Sequence, residues 1–187
     1  MFPTGAGWAK TVPVVLVFNE AVNQALAVPA QGEPLIFCRL QGTTQRVPTA
    51  YNFLQGGNVL LMRPIPEWPA AQQAAAEVEV VVSPELRDID GIRLGSSGDP
   101  IVVGSFTPDA DLQAAPDGRI VTTIPEDSAR DQLREIPIYL VLDRPATGNS
   151  VTARNFRVSV AGGADLQGTV DLPIVDAGVA DARVARF

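Results

Sequence analysis

One short apolar run occurs twice in this chain. Val12-Pro13-Val14-Val15-Leu16-Val17-Phe18 leads into Asn19-Glu20, and Ile136-Pro137-Ile138-Tyr139-Leu140-Val141-Leu142 leads into Asp143-Arg144. The two align without a gap at an offset of 124 (136 − 12), with Pro13 on Pro137, Leu16 on Leu140 and Val17 on Val141. Both runs are rich in β-branched residues and too short for helices, so both predict strands. Proline in the second position fits a strand start or a sheet edge, where no ladder donor is needed. The correspondence extends more loosely. Residues 34–38 answer to 155–160 as the next strand, and residues 58–62 answer to 182–187. A repeat this long predicts two copies of one domain, since solenoid repeats run about 20–50 residues.

The rest of the first copy reads as β-structure. Glu77-Val78-Glu79-Val80-Val81-Val82 alternates and then becomes continuously apolar, as a sheet strand does. Asp90-Gly91 marks a turn, and Ile101–Thr107 a closing strand. Residues 70–76 fit a short helical turn or a loop. With 16 Gly and 16 Pro in 187 residues, punctuation is dense enough to favour an all-β chain over a helical bundle. The expected organisation is a first domain over 1–107, a linker over 108–118 and a second domain over 119–187. No counterpart of Ile120–Pro125 is evident before Val12, and none of the strands at 77–82 and 101–106 is evident in the second copy. The first domain is therefore expected to lack its first strand, and the second to be completed by further residues of the same protein or by a strand-donating chain.

Several chemistries are excluded. The chain has no histidine and one cysteine, Cys38. It cannot build a Ser-His-Asp or Cys-His group, a His-containing zinc site or an intrachain disulfide. A net charge of −7 argues against a nucleic-acid binder, which needs a basic stripe. No apolar run reaches the roughly 18 residues of a membrane span, and the N-terminal residues lack the basic and apolar regions of a signal peptide.

Two segments carry a family resemblance. Ile120-Val121-Thr122-Thr123-Ile124-Pro125-Glu126-Asp127-Ser128-Ala129 followed by Ile136–Pro145 resembles the bacterial Ig-like domain of S-layer and other surface proteins. The first copy shows the middle and end of the same pattern in Val17-Phe18-Asn19-Glu20-Ala21-Val22, Leu86-Arg87-Asp88-Ile89-Asp90-Gly91 and Ser105-Phe106-Thr107. Ala21 departs from the family's usual proline and Leu142 from its phenylalanine. The resemblance implies tandem immunoglobulin-like β-sandwich domains, each of two sheets packed face to face. It implies a non-catalytic spacer, scaffold or adhesion role at the cell envelope or outside the cell, within a larger exported protein. The alternative is a carbohydrate- or protein-binding accessory module of a secreted enzyme.

A few residues are candidates for a site. Asp88, Asp90 and Asp99 surround two glycine-containing turns and could hold Ca²⁺, which prefers oxygen ligands; the same aspartates equally make Asx-type turn bonds. Asp109, Asp111 and Asp117, with Glu126 and Asp127, offer a second acidic group around the linker. Trp68, between Pro66 and Pro69, is the best candidate for a ligand-stacking surface, ahead of Trp8, Tyr51 and Tyr139; its other reading is a cover over the end of the core. Cys38, in an apolar strand with Arg39 on the opposite face, reads as a buried small hydrophobe. Arg144, Arg154 and Arg157 read as solvated. No cofactor is otherwise expected.

Overall fold

The computed structural model describes residues 1–69, 76–93, 98–109, 119–125, 137–146, 150–159, 162–172, 175–176, 179–180 and 183–187. The chain is all-β and divides into two compact units, Met1–Ala114 and Ala115–Phe187.

The described residues of the first unit form eight strands: β1 (Gly5–Trp8), β2 (Val14–Val17), β3 (Ile36–Leu40), β4 (Arg46–Val47), β5 (Thr49–Leu54), β6 (Val59–Pro64), β7 (Val78–Val82) and β8 (Ile101–Pro108). They form two sheets, one ordered β1-β8-β7-β3-β4 and the other β2-β6-β5. All neighbours are antiparallel except β1 and β8, which are parallel. Strand β2 begins immediately after Pro13, whose missing N–H costs no ladder bond there. The β-branched runs bury Val14, Val15, Leu16, Val59, Leu60, Leu61 and Met62 from one sheet, and Ile36, Cys38, Val78, Val80, Val81 and Phe106 from the other. Asn23 caps the single turn of helix α1 (Gln24–Ala27), its side chain accepting from the Leu26 N–H. Gly57 is required where it stands. Its φ is +113°, and a Cβ there would lie 2.9 Å from the Val22 carbonyl oxygen.

The first eight residues serve both sheets. Phe2 exchanges two backbone hydrogen bonds with Val15, at 2.9 and 2.6 Å, and so extends the β2-β6-β5 sheet. After Pro3 the chain crosses over, and Gly5–Trp8 joins β8 in the other sheet.

The second unit contains β9 (Ile120–Ile124), β10 (Tyr139–Leu142), β11 (Val175–Asp176), β12 (Val179–Ala180) and β13 (Val184–Arg186). Strand β10 lies between β13 and β9, and both pairings are antiparallel. Its surroundings match those of β2 at several places. Ile124, directly before Pro125, pairs with Tyr139 as Phe2, directly before Pro3, pairs with Val15. On the other side Leu140 faces Ala185 as Leu16 faces Leu60. At the strand's end the Leu142 N–H reaches the Arg183 carbonyl at 2.8 Å, and the Phe18 N–H reaches the Asn58 carbonyl at 2.8 Å. Asp171 then bridges Arg186 on the far side of β13, in the place β5 takes beside β6.

Three expectations are corrected. A counterpart of Ile120–Pro125 does precede Val12, and it is Phe2-Pro3. Of the strand expected over 155–160, the described residues 155–159 form none. Backbone bonds from Asn155 and Phe156 to the Thr152 carbonyl, at 3.0 and 2.8 Å, make a turn, which the Asn155 amide closes on the Ser150 carbonyl at 2.9 Å. Asn competes in this way with extended backbone. Among the described residues of that stretch, Ser159 alone makes a β-bridge, to Asp165. The first unit's closing strand also runs past the expected boundary, because Pro108 belongs to β8 and the Asp109 N–H bonds the Trp8 carbonyl at 2.8 Å. Residues 70–75, most of the linker, Glu126 and Asp127 lie outside the described residues.

Candidate functional site

The acidic turn of the first unit is built around Asp88. Its carboxylate accepts from the Ile92 N–H at 2.7 Å, while its backbone N–H donates to the Ile92 carbonyl at 3.0 Å and its carbonyl accepts from Gly91 N–H at 3.2 Å. Gly91, at φ +84°, turns the chain. Asp88 is buried because the same segment docks on the Ala21–Asn23 stretch: Val22 bridges Asp88, and the Ile89 N–H bonds the Ala21 carbonyl at 3.0 Å. Asp90 and Asp99 are exposed. Among the described residues no three acidic or cysteine side chains converge as metal ligands would, so Asp88, Asp90 and Asp99 form no such group. Of the linker acids only Asp109 is described; Asp111 and Asp117 are not.

Trp68 is inside the protein, with 1% of its surface exposed. Its indole N–H donates to the Val12 carbonyl at 2.6 Å, and its ring meets Phe106 edge to face with centroids 5.4 Å apart. No face of the ring is left for a ligand to stack on. The Trp68 backbone N–H donates to the Lys10 carbonyl at 2.8 Å. The pattern Pro66-Glu67-Trp68-Pro69 does not set the direction in which the indole points.

Cys38 is free and fully buried, and burial pushes its thiol well above its ordinary pKa. Such a thiol is neither nucleophile nor metal ligand at neutral pH. Arg39 does stand on the other face, where it meets Glu79 of β7 at 2.8 Å as a directly opposed cross-strand pair. Tyr51 is also pushed up, by burial first and then by Cys38, against Arg46 and a Thr49 hydrogen bond. Arg46 packs over the Phe37 ring at 3.8 Å and pairs with Glu33 at 2.8 Å.

The polar group that sequence reading missed is Asp143. It is fully buried, and its carboxylate accepts from the Arg119 backbone N–H at 2.8 Å and from the Arg144 guanidinium at 3.2 Å. Its own N–H donates to the Arg119 carbonyl at 3.0 Å. It joins the start of β9 to the end of β10, and Arg144 is thereby an ion-pair partner. Arg157 is likewise paired, with Asp165 at 3.3 Å. The signal available was position: Asp143 follows the repeated run where Asn19 follows its twin.

No family model matches the chain, and no curated protein matches it. Two solved chains resemble it in structure. They are the S-layer protein rSbsC(31-844), at 14% identity, and surface layer protein SbsC domains 1-6, at 15%, each with a TM-score of 0.42. In each case the likeness covers 89% of this chain, which spans only 18% of the other chain's length. Among the described residues no helix is long and apolar enough to cross a membrane.

Proposed function

We propose that this chain is a non-catalytic structural module, made of two copies of an Ig-like β-sandwich, from a protein exposed at the cell surface. The observation that carries this reading is the strand order of the first unit. An Ig-type sandwich places strands A, B, E and D in one sheet and C, F and G in the other. Phe2, β2, β6 and β5 follow the first order, and β3, β7 and β8 follow the second. The ladder around β10, with β9 and β13 beside it and Asp171 beyond, supports a second copy. A structural role fits the chemistry of the described buried polar groups: Asp88 and Asp143 are engaged at turns and strand ends, and Cys38 is protonated within the core. In this reading neighbouring contacts come from other domains of the same protein, and no metal or cofactor takes part.

Labelling intact cells of the source organism with antibodies raised against the folded chain tests the reading. Signal without permeabilisation is expected. Signal only after permeabilisation overturns the surface assignment.

A further inference from the structure

Sheet edges in natural proteins are blunted by shortness, charge, proline or a bulge, because an open edge is a template for another strand. Strand β4 has two residues, and one is Arg46. Strand β1 has Gly5 and Gly7 at positive φ and a register shift between Ala6 and Trp8. Strand β5 has none of these features. It is the outer strand of the β2-β6-β5 sheet, on the side away from Phe2. Its six residues, Thr49-Ala50-Tyr51-Asn52-Phe53-Leu54, include no proline, glycine or charge, all keep part of their surface exposed, and they pair with β6 without a bulge. The Phe18 N–H bonds the Asn58 carbonyl on the β2 side of β6, and the Ile65 N–H bonds the Pro48 carbonyl on the β5 side. Antiparallel ladders alternate, so Ala50, Asn52 and Leu54 spend their main-chain groups on Arg63, Leu61 and Val59. Thr49, Tyr51 and Phe53 therefore turn their N–H and carbonyl groups outward, and among the described residues no backbone group meets them.

We propose that β5 is a self-association edge, which pairs antiparallel with β5 of a second copy of this chain about a two-fold axis at Tyr51. The outward residues are self-complementary, as a two-fold interface requires. Tyr51 meets the partner's Tyr51, and Thr49 meets the partner's Phe53 in both directions, each pair exchanging two main-chain bonds. Charge points to a second copy. The chain carries −7, so two copies repel where charged surface meets charged surface. Residues 47–62 hold no charged side chain, the longest such stretch in the sequence. Ala50 and the partner's Asn52, which come opposite each other, add no like-charge pair. A foreign peptide would find no charge on β5 to select it. One strand edge is small beside the roughly 1,200–2,000 Å² of a stable interface, so the dimer forms at high concentration and comes apart on dilution. The exposed Ile101–Val103 portion of β8, which β1 does not reach and where the register with β7 shifts, is the competing edge.

The test is amide hydrogen exchange on the whole chain at micromolar and at millimolar concentration. Exchange at Thr49, Tyr51 and Phe53 should slow about fivefold at the higher concentration, while Ala50, Asn52 and Leu54, already bonded to β6, should change little. Ala50→Lys with Asn52→Lys sets like charges opposite each other across the axis and should keep the chain monomeric in sedimentation. Ala50→Glu with Asn52→Glu should do the same, and mixing the two variants should restore the dimer. Rates that do not depend on concentration, slowing without the alternation, a concentration effect at Ile101–Val103 instead, or a mixture of folded variants that stays monomeric, overturns the proposal. The alternation in the unmodified protein decides the matter even if the variants do not fold.

Discussion

The Trp68 indole N–H donates to the Val12 carbonyl oxygen at 2.6 Å, tying the segment after β6 to the segment that leads into β2. Trp68→Phe keeps most of the ring but leaves that carbonyl without its partner, and should cost about 1–3 kcal/mol. Trp68→Ala also opens a cavity beside Phe106 and should cost about 3–5 kcal/mol. Urea unfolding checks both. In a Trp8→Phe background, native fluorescence should report the buried indole alone.

Asp143→Ala leaves the Arg119 N–H without its carboxylate and should destabilise the second unit by about 1–3 kcal/mol. Asp143→Asn keeps an acceptor oxygen and should cost less. Arg144→Gln should cost about 0.2–1 kcal/mol, because the guanidinium is partly solvated. Amide exchange at Tyr139–Val141 is the readout, with Val14–Leu16 in the first unit as internal reference.

Cys38 sets a pH dependence. Its thiol keeps its proton in the folded state, while the unfolded thiol ionises near its ordinary value of 9.0. The unfolded state then binds fewer protons, so stability falls as pH rises above that value. The contribution is fully present below about pH 9, and each further unit removes up to about 1.4 kcal/mol. Tyr51 acts in the same direction at higher pH. Urea unfolding at pH 8 and pH 10 should show the loss, and Cys38→Ala should reduce it. Native protein at pH 8 should not react with a thiol reagent until denatured.

The Asp88 turn separates a metal role from a turn role. Asp88→Asn preserves an oxygen for the Ile92 N–H and should be nearly neutral, whereas Asp88→Ala should cost about 1–2 kcal/mol, as loss of a comparable cap does. Thermal melts with Ca²⁺ and with EDTA should coincide. A rise of many degrees with Ca²⁺ would return Asp88, Asp90 and Asp99 to the position of ligands.

Strands with strong periodicity are legible in the amino-acid sequence alone. Val14–Val17, Val78–Val82 and Tyr139–Leu142 each sit within their expected runs, because β-branched residues in short runs have one common solution. Strand β5 is not legible in this way: Thr-Ala-Tyr-Asn-Phe-Leu is half-buried throughout and carries no clean alternation. Strand β1 is hidden for a different reason. Gly5 and Gly7 lie at positive φ, so the segment is held by its pairing with β8 and not by its own propensity. Trp68 and Asp143 show the same limit for side chains. Local sequence sets where each stands, and contacts from 56 and 24 residues away set what each bonds.

The parallel pairing of β1 with β8 has a mechanical meaning. The chain runs from Pro3 into the start of β1 and leaves the end of β8 at Asp109, and in parallel strands those two points lie at opposite ends of the pair. Tension between them pulls along the strands, so the hydrogen bonds from Gly5 to Trp8 are loaded in shear, all at once. An antiparallel pair held at the same positions would be peeled open one bond at a time. A unit strung by its two ends therefore meets a pull with its stiffest direction.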